Sequence, residues 1–234
     1  MAFSLTKRCA AEALATAFLL ATVIGSGVMG AKLSGGNIAL ALLGNTILTG
    51  AMLAVLILVF GPVSGAHMNP AMSVVMAATG RLPWRDVPPY IVAQVLGALL
   101  GVIAAHAMFE LPLIQIAQTS RTGTGQWIAE AIATFGLGVT VLGCLTHAPQ
   151  SIAYAVGLYI TAAYWFTAST SFANPAVTIA RALSETFAGI APAHVPAFIA
   201  AQLIGVALLL ATQRLFWPTP MPQPEARAAD TSLR

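Results

Sequence analysis

Asn69-Pro70-Ala71, set directly behind Ser64-Gly65-Ala66-His67-Met68, occurs again as Asn174-Pro175-Ala176. Two further pairs keep the same order along the chain. Ala11-Glu12-Ala13-Leu14-Ala15-Thr16 matches Ala129-Glu130-Ala131-Ile132-Ala133-Thr134, and Ala93-Gln94-Val95-Leu96-Gly97 matches Ala201-Gln202-Leu203-Ile204-Gly205. The offsets are 105 residues (69 to 174), 118 (11 to 129) and 108 (93 to 201). One tripeptide match arises easily by chance, whereas three in the same order do not. The chain reads as a duplication, about residues 8–117 and 118–216, within one domain over 1–217.

The stretches around these matches set the architecture. Crossing roughly 30 Å of hydrocarbon takes about 20 apolar residues. Candidate spans are about 9–29, 38–60, 87–108, 127–146, 150–168 and 195–216. Two shorter apolar pieces, about 69–79 and 174–186, each begin at an Asn-Pro and rise only about 15–18 Å as helix. Three spans per half is an odd number, so the second half is expected upside down relative to the first. The predicted fold is an all-α membrane protein: six transmembrane helices plus two re-entrant half-helices as an inverted repeat. In such repeats the paired broken segments mark the permeation or binding site.

Composition agrees with a lipid environment. Of 234 residues, 58% are hydrophobic and 7% charged, against roughly 25% charged in soluble chains. A soluble enzyme, a nucleic-acid binder and a disordered scaffold are all poor fits. The net charge of +3 is scattered, and it reads as a topology signal. With the N-terminus cytoplasmic, Lys7, Arg8, Arg81, Arg85, Arg214, Arg227 and Arg234 fall inside; Lys32, Arg121 and Arg181 fall outside. Residues 9–29 read as a retained first helix, being longer than a signal-peptide core and lacking a clear cleavage site. The proline-rich segment 218–234 is expected to be a disordered cytoplasmic tail. Cys9 and Cys144 form no metal-ligand pair.

At each half-helix, asparagine is a favoured N-cap, and proline fits the first helical turn because its missing N–H would be unpaired there. Entering from opposite faces, the two N-termini meet near the midplane and bring partial positive charge with them. Asn69 and Asn174 then offer amide donors to whatever occupies the centre. Such a constriction hydrogen-bonds a neutral oxygen-bearing solute and repels cations.

The doubled Asn-Pro-Ala motif, the Ser64–Met68 stretch and Ala-Glu-x-x-x-Thr in spans one and four resemble the aquaporin (major intrinsic protein) family. The resemblance covers about residues 8–216. It implies a right-handed bundle assembled as a homotetramer, each subunit with its own pore. It further implies passive transport with no cofactor and a central constriction at Asn69, Pro70, Ala71, Asn174, Pro175 and Ala176. One position departs from the pattern: the family usually has arginine directly after the second motif, and here stands Val177. Valine neither donates a hydrogen bond nor carries charge, so the outer constriction is expected to be wider and more apolar. Counting from the motifs as in the family places Thr49 and Ser171 on the same ring. The span-five member is Ala162 or Tyr164 by two different counts, with Tyr164 preferred. Valine in this position resembles the arsenic-resistance branch of bacterial aquaglyceroporins, which implies neutral arsenite and antimonite hydroxides, methylated arsenicals and other organoarsenicals as solutes. Polyols such as glycerol, and water, remain alternatives. That resemblance also implies a bacterial inner membrane with both termini cytoplasmic.

Other polar residues each carry two readings. Arg181, one turn after Val177, either faces the outer vestibule or forms a surface bridge to Glu185 at i, i+4, the reading given more weight. Glu12 and Glu130 lie inside spans, where charges are expensive. Either they form an ion relay, as in a coupled secondary transporter, or, as the resemblance favours, they accept hydrogen bonds from the irregular backbone entering each half-helix. His67 either lines or gates the pore or is a structural histidine. Ser64 with His67 would make a nucleophile–base pair, but no orienting acid or oxyanion site accompanies them, and no enzyme is expected. Gln94 and Gln202, beside Gly97 and Gly205, read as polar bonds across close helix packing. Trp84, Tyr90 and Trp217 read as interfacial aromatics.

Overall fold

The computed structural model describes residues 3–217, which fold into eight α-helices joined by loops and short 3-10 turns. They are α1 Leu5–Leu33, α2 Ile38–Ser64, α3 Pro70–Ala78, α4 Val87–Met108, α5 Thr124–His147, α6 Ile152–Phe166, α7 Pro175–Arg181 and α8 Val195–Phe216. The segment 218–234, read as a cytoplasmic tail, lies outside the described residues.

Local chemistry starts and stops these helices where the sequence carries caps. The Ser4 hydroxyl accepts from Lys7 N, and Asn37 Oδ1 accepts from Leu40 N at 3.1 Å. Proline follows the opening residue of both α4 and α8, in the first turn where a missing N–H costs nothing. Gly65 closes α2 with φ 94°, a left-handed conformation that glycine adopts without steric penalty.

Packing repeats the sequence duplication. Helix α1 packs on α2 and α4, α5 packs on α6 and α8, and α2 with α6 joins the halves. Each half-helix touches the last long helix of both halves, α3 and α7 alike lying on α4 and α8. Small residues permit the close approaches: a Cβ at Gly97 would overlap the carbonyl of Ala13, and one at Gly205 would overlap that of Ala131. Large apolar side chains such as Phe18, Val55, Leu100, Ile132 and Leu208 stand exposed on the outer faces. That surface suits lipid and would be penalised in water.

Two elements and one side chain depart in detail from the sequence-based expectation. Among the described residues, five helical segments are long and apolar enough to cross a membrane; α6, with 15 residues, rises about 22 Å. It stops early because residues 167–174 must leave the helix to bring Asn174 beside Asn69. Helix α7 ends at Arg181, short of residue 186, because Ala117 N and Gln115 N take the carbonyls of Ala182 and Leu183 at 3.0 and 3.2 Å. Tyr90 is no interfacial aromatic: it is fully buried and donates its hydroxyl to Ser64 O at 2.9 Å.

Candidate pore and its lining

The two Asn-Pro-Ala segments meet and bind each other. Asn69 Nδ2 donates to Ala173 O and Asn174 Nδ2 donates to Met68 O, both at 2.7 Å. Each side-chain oxygen caps its own half-helix: Asn69 Oδ1 accepts from Ala71 N at 2.9 Å, and Asn174 Oδ1 from Ala176 N at 3.0 Å. A primary amide has two N–H donors, so each nitrogen retains one after the crossing bond. Pro70, Ala71, Pro175 and Ala176 are buried behind the pair.

The approach to each Asn is left-handed and irregular in the same way in both halves. Ala66 and Met68 have φ 48° and 50°; Ser171 and Ala173, each 105 residues later, have φ 49° and 47°. Such backbone needs outside partners, and the buried carboxylates supply them. Glu12 Oε1 accepts from Ser64 Oγ and His67 N at 2.7 and 2.9 Å, and Oε2 from Met68 N and Gln94 Nε2 at 2.7 and 2.8 Å. Glu130 is bonded alike to Ser169 Oγ, Phe172 N, Ala173 N and Gln202 Nε2, all between 2.6 and 2.9 Å. The glutamines, read as glue between helices, thus reach these carboxylates, and they also reach Ser73 and Thr178.

One cavity of about 350 Å³ runs past the paired asparagines. It extends from Arg81, beyond the C-terminus of α3, to Arg181 at the C-terminus of α7. Thr49, Tyr164, Ser171 and Val177 all line it, while Ala162 is exposed on the other side of α6. Thr49 Oγ1 and Ser171 Oγ are buried and have no hydrogen-bond partner in the protein. His67 also lines the cavity; its Nδ1 lies 3.1 Å from Ser73 Oγ and its ring leans on Tyr90. Ser64 and His67 do not form a nucleophile–base pair, because the Ser64 hydroxyl is turned to Glu12.

The α7 end of the molecule carries two arginines whose surroundings the sequence leaves open. Arg181 does not bridge Glu185. Its guanidinium lies 3.4 Å over the Phe172 ring, its Nε donates to Ala188 O, and the residue is 2% exposed. Glu185 instead accepts from Gln118 N. The i, i+4 rule presumes continuous helix, and α7 stops at Arg181. From the sequence Arg121 reads only as an outside cation. Its Nε donates to Gly189 O at 2.7 Å, its fork reaches towards Ser169 O and Phe187 O, and it too faces Phe172. Burial lowers the Arg121 pKa from its ordinary value, with Tyr164 and Glu130 opposing; arginine nonetheless stays charged at neutral pH. No motif marks these loop contacts, which are long-range in sequence. At the opposite end, Arg8 pairs with Asp86 at 2.8 Å, tying the start of α1 to the loop before α4.

Comparison with known proteins follows the same lines. Residues 1–150 match the family described as MIP, Major intrinsic protein. Aquaglyceroporin AqpS of Rhizobium meliloti (strain 1021) is 52% identical over 212 residues, covering 91% of each chain. Aquaporin AqpM of Methanothermobacter thermautotrophicus is 31% identical over 213 residues, 80% of this chain and 87% of its own. Among solved structures, the aquaglyceroporin from Plasmodium falciparum aligns with a TM-score of 0.69, covering 89% of this chain and 95% of that one at 21% identity. That last likeness concerns the fold.

Proposed function

The chain belongs to the major intrinsic protein family, a multi-pass membrane channel for small neutral solutes, and we propose that its solutes are hydroxyl-bearing molecules up to the size of metalloid hydroxides and methylated arsenicals. The observation that carries this reading is that Thr49, Tyr164, Ser171 and Val177 all line the one cavity that passes the paired asparagines. Val177 supplies a short apolar wall, and Thr49 and Ser171 supply two hydroxyls without protein partners. Neutral arsenite and antimonite carry hydroxyls around a compact centre, much as glycerol does. They suit a path that offers a few hydrogen bonds and no charge at the level of Val177.

In this reading Asn69 and Asn174, with the prolines and alanines behind them, form the central constriction. Thr49, Tyr164, Ser171 and Val177 form the outer one. Glu12 and Glu130 hold the half-helix entries rigid. Saturation of both carboxylates by four donors each argues against an ion-coupled carrier, which needs a carboxylate free to change partners. Passive flux would then run down whatever gradient exists; in a cell that reduces arsenate, arsenite would leave. We further propose that residues 1–217 are one channel domain, that the subunits assemble as a homotetramer in a bacterial inner membrane, and that both termini are cytoplasmic.

The test is stopped-flow light scattering on purified protein in liposomes under an inward arsenite gradient. Re-swelling is expected to exceed that of empty liposomes, and Val177→Arg to slow it about tenfold by narrowing the ring. Unchanged arsenite flux in the variant would remove Val177 from the specificity argument. Fast water flux with no arsenite re-swelling would refute the metalloid assignment.

A further inference from the structure

Along each Asn-Pro-Ala segment, from the residue before the asparagine into the half-helix, residues four apart line the cavity in the same pattern. Met68, Met72 and Met76 line it from the first half, and Ala173, Val177 and Arg181, each 105 residues later, line it from the second. The lumenal aspect of position 181 is therefore set by the repeat, since Met76 occupies the equivalent place. One half-helix ladder ends in a thioether, the other in a guanidinium.

The Arg181 charge has no acid against it. Among the described residues the salt bridges are Arg8 and Arg85 with Asp86, at the other end of the molecule. What surrounds Arg181 is the Phe172 ring at 3.4 Å, the Ala188 carbonyl, and a second guanidinium, Arg121, 5.1 Å from the same ring. Arg181 Nη1 has no hydrogen-bond partner. Glu130, a carboxylate on α5, has both oxygens committed to four donors. A ring face and a carbonyl stabilise a cation without cancelling its charge, so a full positive charge remains beside the lumen at low dielectric, where it is poorly screened.

We infer that Arg181 is the charge filter of this channel: from one turn outside the apolar Val177 ring, its guanidinium excludes cations and protons while neutral solutes pass. The assignment rests on the reading of this cavity as the permeation path. Width and charge selection, combined when one residue performs both, are here divided between two levels. Val177 leaves the ring wide, and Arg181 keeps the wide ring closed to ions. Arg121 adds to the field, but it does not line the cavity and serves chiefly to hold the loops at Gly189, Ser169 and Phe187.

The experiment compares unsubstituted protein, Arg181→Gln and Arg181→Lys in the same liposomes. Glycerol permeability is read by light scattering; an entrapped pH-sensitive dye reads proton leak with valinomycin present and potassium leak with a protonophore present. Arg181→Met is the companion neutral variant should glutamine fail to reconstitute, since methionine stands at the repeat-related position 76. A neutral variant is expected to leak about tenfold faster while glycerol flux stays within about twofold, and Arg181→Lys to be as tight as the unsubstituted protein. A neutral variant as tight as the unsubstituted protein would overturn the assignment. So would a lysine variant that leaks like the neutral one, because the role would then be structural. Failure of the unsubstituted protein to pass glycerol or arsenite would instead overturn the pore reading beneath it.

Discussion

Glu12 receives Ser64 Oγ, His67 N, Met68 N and Gln94 Nε2 in a fully buried position. Replacing it with alanine strands four donors, each at about 1–3 kcal/mol. Glu12→Ala is accordingly expected to abolish folded protein, and Glu130→Ala likewise; size-exclusion chromatography after heating in detergent reads the outcome. Survival of either variant at the melting temperature of the parent would contradict the proposed bracing role. Asn69→Ala is milder in stability, about 1 kcal/mol for the lost cap, but removes the bond to Ala173 O and a lumenal donor together. Loss of conduction or of proton tightness beyond that stability change is expected when Asn69 and Asn174 are both replaced. Normal flux and normal tightness in the double variant would remove them from the mechanism. At this scale the sequence was informative where a residue's partners are local or repeated. Asparagine before proline predicts its own cap. Nothing near Arg181 in the chain announces Phe172 and Ala188 as its neighbours, and Glu185 at i+4 pointed the wrong way.

Helix contacts here depend on where a Cβ is missing. Gly97 of α4 sits against the backbone of Ala13 in α1, so an added methyl meets a carbonyl oxygen that cannot rotate away. Gly97→Ala is expected to spread α1 from α4 and reduce the yield of folded protein severalfold. Gly61→Ala in α2, where nothing lies within 4 Å, is expected to leave it unchanged. Fluorescence-detected gel filtration of the two variants decides this, and equal yields would contradict it. Hydropathy located the long helices well because lipid imposes a simple length rule on them. It overran α7, whose end is fixed by residues 115 and 117 pairing with the carbonyls of 182 and 183. Such a contact between distant segments leaves no local periodic signal.

For the molecule as a whole, the duplication was the most legible feature, and it carried the inverted arrangement of the half-helices with it. What it concealed is the asymmetry between the halves: equivalent lumenal positions hold Met72 and Val177, or Met76 and Arg181. In the proposed reading selectivity follows from that asymmetry, whereas the fold follows from the symmetry. A passive pore of this kind needs no energy source, so dissipating the proton gradient is expected to leave solute flux unchanged. The most direct measurement is re-swelling of proteoliposomes under an inward glycerol gradient, recorded by light scattering with and without a protonophore. Re-swelling faster than in empty liposomes and indifferent to the protonophore is expected. Re-swelling no faster than in empty liposomes, or abolished by the protonophore, would contradict a passive pore.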